Sequence, residues 1–170
     1  MEHTYEPLQG ERVLAVDPIS RGFGYVVLEE DGPQLVDWGV KVCERNEIGC
    51  TLSLRKLIAQ SEPTVLVFED VSSARSLRRI ALEAFIDTVA DGIADLKLPV
   101  RMYSRREIRK RFSAVRAITK TDIASLLVER FPELRGKRPK QRQLWESEDV
   151  RMSIFDALSM ALTHLSSGDG

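Results

Sequence analysis

The chain has 170 residues, 43% hydrophobic and 30% charged, with 25 Lys or Arg against 26 Asp or Glu. That length and balance are ordinary for one globular domain with a sizeable core. No apolar run reaches the ~20 residues of a membrane span. Met1-Glu2-His3-Thr4-Tyr5 lacks the layout of a secretory signal, and two cysteines, Cys43 and Cys50, predict no disulfide framework, so a cytoplasmic protein is expected.

In chain order, residues 1–10 read as a flexible tail and 11–167 as one domain. Residues 12–17 read as a buried strand, Gly22 to Glu29 as a second, and Asp31-Gly32 as the turn into a third over Gln34 to Val42. Residues 47–60 predict a helix with Ile48, Leu52, Leu54, Leu57 and Ile58 apolar, stopped by Pro63. The nearly all-apolar run Thr64 to Glu69 is a strand covered on both faces. Ser73 to Leu96 is a long helix, with Leu77, Ile80, Ala81, Ala84, Phe85, Thr88, Val89 and Ile93 near helical spacing, and Pro99 to Tyr103 is a short strand. Ser104 caps a helix from Arg105 to Phe112, and Thr119 or Thr121 caps another to Phe131. Residues 133–145 read as a mobile basic loop, and a last helix is expected from about Ser147 to Leu165. Three antiparallel strands followed by alternating helices and parallel strands predict an α/β fold, a mixed five-stranded sheet with helices on both faces.

Acids interrupt three of these apolar elements. Asp17 follows Val13-Leu14-Ala15-Val16, Glu69-Asp70 follows Val65-Leu66-Val67-Phe68, and Asp156 sits inside Ile154-Phe155-Asp156-Ala157-Leu158. A carboxylate resists desolvation unless it is paired, so three of them in greasy elements point to one shared divalent-cation site. Strand alternation decides whether Glu69 or Asp70 turns inward. The charge is also uneven: residues 101–142 hold fourteen Lys or Arg against four Asp or Glu, and the remainder eleven against twenty-two. A basic lobe beside acidic pockets fits a protein that holds a polyanion and a metal together, the alternative being a solvated charged face.

With acids on the first strand, the fourth strand and the last helix, the order resembles the RNase H-like superfamily. Within it the chain resembles the RuvC family of Holliday-junction resolvases. Asp17-Pro18-Ile19-Ser20 leading to Gly24-Tyr25 is similar to that family's aspartate-proline-glycine-serine signature, with Ile19 where glycine is usual. Val67-Phe68-Glu69-Asp70-Val71, Leu98-Pro99-Val100 to Tyr103 with Ile108-Arg109-Lys110, Thr119-Lys120-Thr121, and Asp156 to His164 follow in the family's order, over residues 12 to 166. Ser153 stands where the family has an acid or histidine three residues before the final aspartate.

The resemblance implies a metal-dependent, structure-selective endonuclease that cuts four-way or other branched DNA with two Mg2+ ions, for which Mn2+ can substitute. It implies Asp17, Glu69, Asp156 and Lys120 as catalytic residues. Asp17 would bridge the ions, Glu69 (the inward residue in the family register) and Asp156 would flank it, and Asp149 or Ser153 would complete the second site. Asp149 is favoured as lying two helical turns before Asp156, and Glu148 is one position off that face. Lys120 would offset charge at the scissile phosphate. Arg75, Arg78, Arg105, Arg109, Lys110, Lys120, Lys137, Arg138 and Lys140 are the expected nucleic-acid contacts, giving salt-sensitive affinity with little sequence preference. His164 reads as a helix-end charge and the cysteines as inert. A homodimer near the nucleoid is implied, with no membrane partner. Two other readings stay open: a resolvase relative that binds junctions without cutting, because of Ser153, and a nuclease of RNA or RNA–DNA hybrid.

Overall fold

The computed structural model describes residues 10–43, 47–72 and 77–168, so the tail before Gly10, the expected helix start at Ser73 and Arg75 lie outside it. Strands β1 (Arg12–Ile19), β2 (Gly22–Glu29) and β3 (Gln34–Val42) form an antiparallel meander. Helix α1 (Glu47–Ser61) leads to β4 (Val65–Asp70), which lies parallel to β1. Helix α2 (Leu77–Ile93), continued by a 3-10 turn, leads to β5 (Val100–Ser104), parallel to β4. Helices α3 (Arg105–Ser113), α4 (Lys120–Arg130) and α5 (Met152–Ser167) complete the chain. The sheet order β3-β2-β1-β4-β5 is the mixed five-stranded arrangement that the sequence pattern predicts.

Alternation along the strands sorts the core into two layers. Leu14, Val16, Phe23, Val27, Leu66 and Phe68 pack against α1 and α2. Val13, Ala15, Val26, Leu28, Val65 and Val67 pack against α3, α4 and α5. The central strands β1 and β4 carry the unbroken apolar runs Val13 to Val16 and Val65 to Phe68 because both their faces are covered, whereas the edge strand β3 leaves Val36 and Val42 in solvent. The β1–β2 turn requires Gly22: its φ is +136°, and a Cβ there would lie 1.8 Å from the Lys41 carbonyl oxygen.

Several local expectations are corrected. On α1 the buried face is Cys50, Leu54, Leu57 and Ile58, while Ile48 and Leu52 are exposed. Each of those two lies two residues, or ~200° of helix, from Cys50 or Leu54. On α2 the core face is Leu82, Phe85, Ile86, Val89 and Ile93, with Ile80 in solvent. Cys43 and Cys50 form a disulfide that ties the end of β3 to α1, with Cα atoms 5.2 Å apart, against the expectation of inert thiols. The first residues of the expected basic loop belong instead to a 3-10 stretch, Pro132–Lys137, that buries Leu134 in the core.

The expected caps are present. Ser104 and Glu107 form a capping box at α3, and Thr119 (rather than Thr121) forms one with Asp122 at α4. Helix α5, however, starts at Met152 and not near Ser147. The Asp149 side chain accepts hydrogen bonds from the Arg151 backbone N–H and guanidinium, and so holds this segment outside the helix.

Candidate active site

Three elements bring the acids together. Asp17 continues the inward series Val13, Ala15 on β1, and Glu69 continues Val65, Val67 on β4. The β1–β4 register pairs Val13 with Val65 and Ala15 with Val67; the same offset sets Asp17 beside Glu69. Asp70, on the other side of the strand, is hydrogen-bonded by Ser72, whose side chain first and backbone N–H second lower its pKa. Helix α5 crosses above the strand ends. Gly24, the cross-strand partner of Asp17, admits it: a Cβ at Gly24 would lie 2.1 Å from Ser153 Oγ. One turn after Ser153, Asp156 faces the same site.

Asp17 is 4% exposed, and among the described residues nothing hydrogen-bonds to its carboxylate or forms a salt bridge with it. Burial raises its pKa well above the ordinary aspartate value; Asp156 and Glu69 raise it further, and Lys120 and Arg105 oppose them. Arg105, at the first position of α3, donates to both Glu69 oxygens at 3.2 and 2.8 Å and to Asp156 at 3.2 Å. Lys120, at the first position of α4, reaches Asp156 at 2.7 Å and Glu148 at 3.0 Å. Burial, the largest single influence, lowers both basic pKa values, but the acids together outweigh it (Asp156 first, with Glu69 at Arg105 and Glu148 at Lys120), so both rise. The cluster is therefore a lattice of acids cross-linked by two cations.

The acids are the right chemistry for a hard divalent ion, which takes carboxylate oxygens. Asp17 is a buried carboxylate whose field the two cations only partly offset. Among the described residues no three acidic, His or Cys side chains are placed to hold an ion as they stand, and Glu69 and Asp156 are engaged by Arg105 and Lys120. The donor set thus fits a divalent cation that competes with these basic groups.

A cavity of about 510 Å³ opens beside the cluster, lined by Asp17, Ile19, Glu148, Asp149 and Ser153, with Leu82 and Phe85 from α2. The helical argument for Asp149 is overturned, because Asp149 precedes α5. Its carboxylate lines the cavity but is bound by Arg151, which lowers its pKa. The Ser153 hydroxyl donates to the Val150 carbonyl. Glu148, set aside as off the helical face, is joined to Asp156 through Lys120. The sequence signal for it was the run of acids Glu146, Glu148 and Asp149 before the last helix, obscured by extending that helix over them.

Of the expected nucleic-acid contacts, Arg109, Lys110, Lys137, Arg138 and Lys140 are exposed. Arg105 turns inward to the acids, and Lys120 stands between the acids and a second cavity of about 420 Å³ lined by Lys140, Arg142 and Arg151. Arg75 and the Arg78 side chain are outside the described residues. His164 bonds Tyr103 at 2.8 Å and Glu11 at 2.9 Å, which anchors the end of α5 to β5 and to the residue before β1.

This sheet order, with acids at the ends of β1 and β4 and on the closing helix, defines an RNase H-like fold with an acidic centre. No family model matches the chain. A crossover junction endodeoxyribonuclease RuvC of Chlorobaculum parvum is 30% identical, over 92% of this chain and 82% of that protein. The RuvC of Akkermansia muciniphila is 28% identical, over 93% and 92%. Among solved structures, T. thermophilus RuvC in complex with a Holliday junction substrate superimposes with a TM-score of 0.66 at 15% identity, covering 94% of this chain and 96% of that one. The chain belongs to the RuvC family. Among the described residues no helix is long and apolar enough to cross a membrane.

Proposed function

We propose that this protein is a divalent-metal-dependent, structure-selective endonuclease that cuts four-way or related branched DNA. The observation that carries the reading is the convergence of Asp17, Glu69 and Asp156 at one end of the sheet, with Asp17 buried and unpaired. Family membership supports the substrate class.

Asp17, Glu69 and Asp156 would hold Mg2+, with Mn2+ as a substitute, and Glu148, Asp149 or Ser153 would complete the set from the cavity wall. When bound, such ions activate water and stabilise charge on the leaving oxygen of a phosphodiester. Two ions, the number implied by the family resemblance, require Glu69 and Asp156 to be released from Arg105. Lys120 is held at the rim by Asp156 and Glu148, where its ammonium would meet the scissile phosphate and offset its charge. Arg105 would move from the carboxylates toward the DNA backbone as the site fills. Arg109, Lys110, Lys137, Arg138 and Lys140 would contact phosphates along the strand. Symmetric cuts across a junction need two such centres, so the protein would act as a homodimer, beside the DNA of the nucleoid.

The test is cleavage of a synthetic four-way junction in Mg2+, run beside duplex, splayed-arm and RNA–DNA hybrid substrates. Paired, symmetric nicks in the junction alone are expected. Equal cutting of hybrid would replace this reading with the RNA one. A second reading, junction binding without cutting, is favoured by the pairing of Glu69 and Asp156 to Arg105 and by the serine at position 153. Tight junction binding with no nick in Mg2+ or Mn2+ would select it.

A further inference from the structure

Between the two cavities and the 3-10 stretch, the chain makes a turn that has no role in the acidic centre. Its closing bonds run from the Glu146 N–H to the Gln143 carbonyl at 3.1 Å and from the Gln143 N–H to the Glu146 carboxylate at 3.0 Å. The two residues at its tip are Leu144 and Trp145, 96% and 82% exposed. A Trp and a Leu side by side in water leave unrealised most of the ~1.5–3 kcal/mol that burying such a side chain yields. A hydrogen-bonded turn that carries them outward presents them to something.

We propose that Leu144 and Trp145 are a base-stacking wedge, which inserts at the branch point of the DNA and selects branched over continuous duplex. The inference rests on the branched-DNA reading above. Its own support is the setting of the tip. Arg142 precedes it, and Lys140 and Arg138 lie just upstream, all three exposed. Arg138 donates to Ser125 at 2.8 Å, which moors the loop to α4. An occupant that offers flat apolar faces within a negatively charged backbone matches this pairing of an aromatic tip with basic flanks. The loop is also continuous with the site: Glu148 is three residues from Trp145, at most ~11 Å of extended chain. Lys140, Arg142 and Glu146 share the second cavity with Lys120.

The wedge discriminates by what it must undo. Within a duplex, an inserted side chain must separate two stacked base pairs, at a few kcal/mol. At a branch the terminal pairs already lack a neighbour on one face, so Trp145 covers an open face without that cost. Phosphate contacts from the basic loop serve both DNA forms equally.

The test is equilibrium binding of a four-way junction and of a duplex of equal length, in EDTA, by wild type, Trp145→Ala, Trp145→Phe and Leu144→Ala. Because Trp145 is exposed, these changes leave the core intact. Trp145→Ala should weaken junction binding roughly ten- to hundredfold, the worth of one base–aromatic stack, and leave duplex binding within about twofold. Trp145→Phe should keep most of the junction affinity, and the fall in tryptophan emission when junction is added to wild type should be absent from it. Wild-type preference for junction with an unchanged Trp145→Ala overturns the wedge and leaves the proposed function standing. Loss of junction and duplex binding in equal measure also overturns it, as does conversion of the Trp145→Ala protein from dimer to monomer in sedimentation. If wild type itself does not prefer junction to duplex, both readings fall.

Discussion

The two faces of the sheet are built from the same five strands and put to different use. Toward α1 and α2, alternate residues are apolar until the half-buried Asp70 that ends β4, the two helices pack on them, and a disulfide and the Arg55 contacts to Gly92 and Asp95 secure that layer. Toward α3, α4 and α5, the same alternation runs through apolar residues and then ends in Asp17 and Glu69, under a helix that carries Asp156. One face is stabilised by simple burial. The other carries a knot of like charges in low dielectric, held by two basic side chains at helix starts. On the proposed function, the difference marks the face where charge is concentrated at the expense of stability, and it can be tested from either side.

The largest expected effect comes from Asp17→Asn. It should reduce junction cutting by ~10³-fold or more, because several kcal/mol of charge stabilisation depend on the ligand set, while junction binding in EDTA is kept or strengthened. The raised pKa of Asp17 gives a second readout. A group raised on folding contributes stability that is full below the ordinary aspartate range and is lost as pH rises through its folded-state value. The metal-free wild type should therefore lose stability with rising pH over that window, and Asp17→Asn should not; parallel melting curves would contradict the placement of Asp17.

Leu57→Ala probes the opposite face. Leu57 is 2% exposed, and its truncation should cost ~2–5 kcal/mol, seen as a fall in Tm of ~2–4 °C per kcal/mol. Cutting per folded molecule should be unchanged; loss of cutting below the melting range would show that the faces are coupled.

Arg105→Gln should shift the balance within the acidic knot. With Glu69 released and Asp156 held by Lys120 alone, Mn2+ affinity measured by calorimetry should rise roughly tenfold, since charge-assisted hydrogen bonds of ~1.5–3 kcal/mol from Arg105 no longer compete. The metal-free protein should melt lower. Unchanged affinity would mean that Arg105 does not compete for these carboxylates. The smallest effects belong to the cavity wall: Asp149→Asn should cost a few-fold more activity than Ser153→Ala in the same assay, and the reverse order would assign the fourth ligand to Ser153.

The strands and their alternation were legible from the sequence, because central strands covered on both faces leave runs such as Val13 to Val16 and Val65 to Phe68. The three acids were legible for the same reason, each breaking such a run. Less visible was anything decided by which side of an element has a partner. Ile48, Leu52 and Ile80 have helical spacing but face solvent. Ser147 to Arg151 contain no glycine or proline to stop a helix, so the sequence pattern runs the last helix through them; the local bond from Arg151 to Asp149 sets its start. That misplacement hid Glu148. Arg105 reads as one more basic residue on a basic helix, and only the fold turns it inward. Two cysteines seven residues apart give no hint that a strand end and a helix start will meet.

The contact between Gly24 and Ser153 has an evolutionary consequence. It acts as a spacer that sets how far the closing helix stands off the sheet, and with it the height of Asp156 above Asp17. Any side chain gained at position 24 would lift the helix and spread the acids. The Cβ would also lie 2.6 Å from the backbone carbonyl carbon of Ser153, so no smaller residue at 153 makes room, and a library randomised at both positions should return glycine at 24 whatever stands at 153.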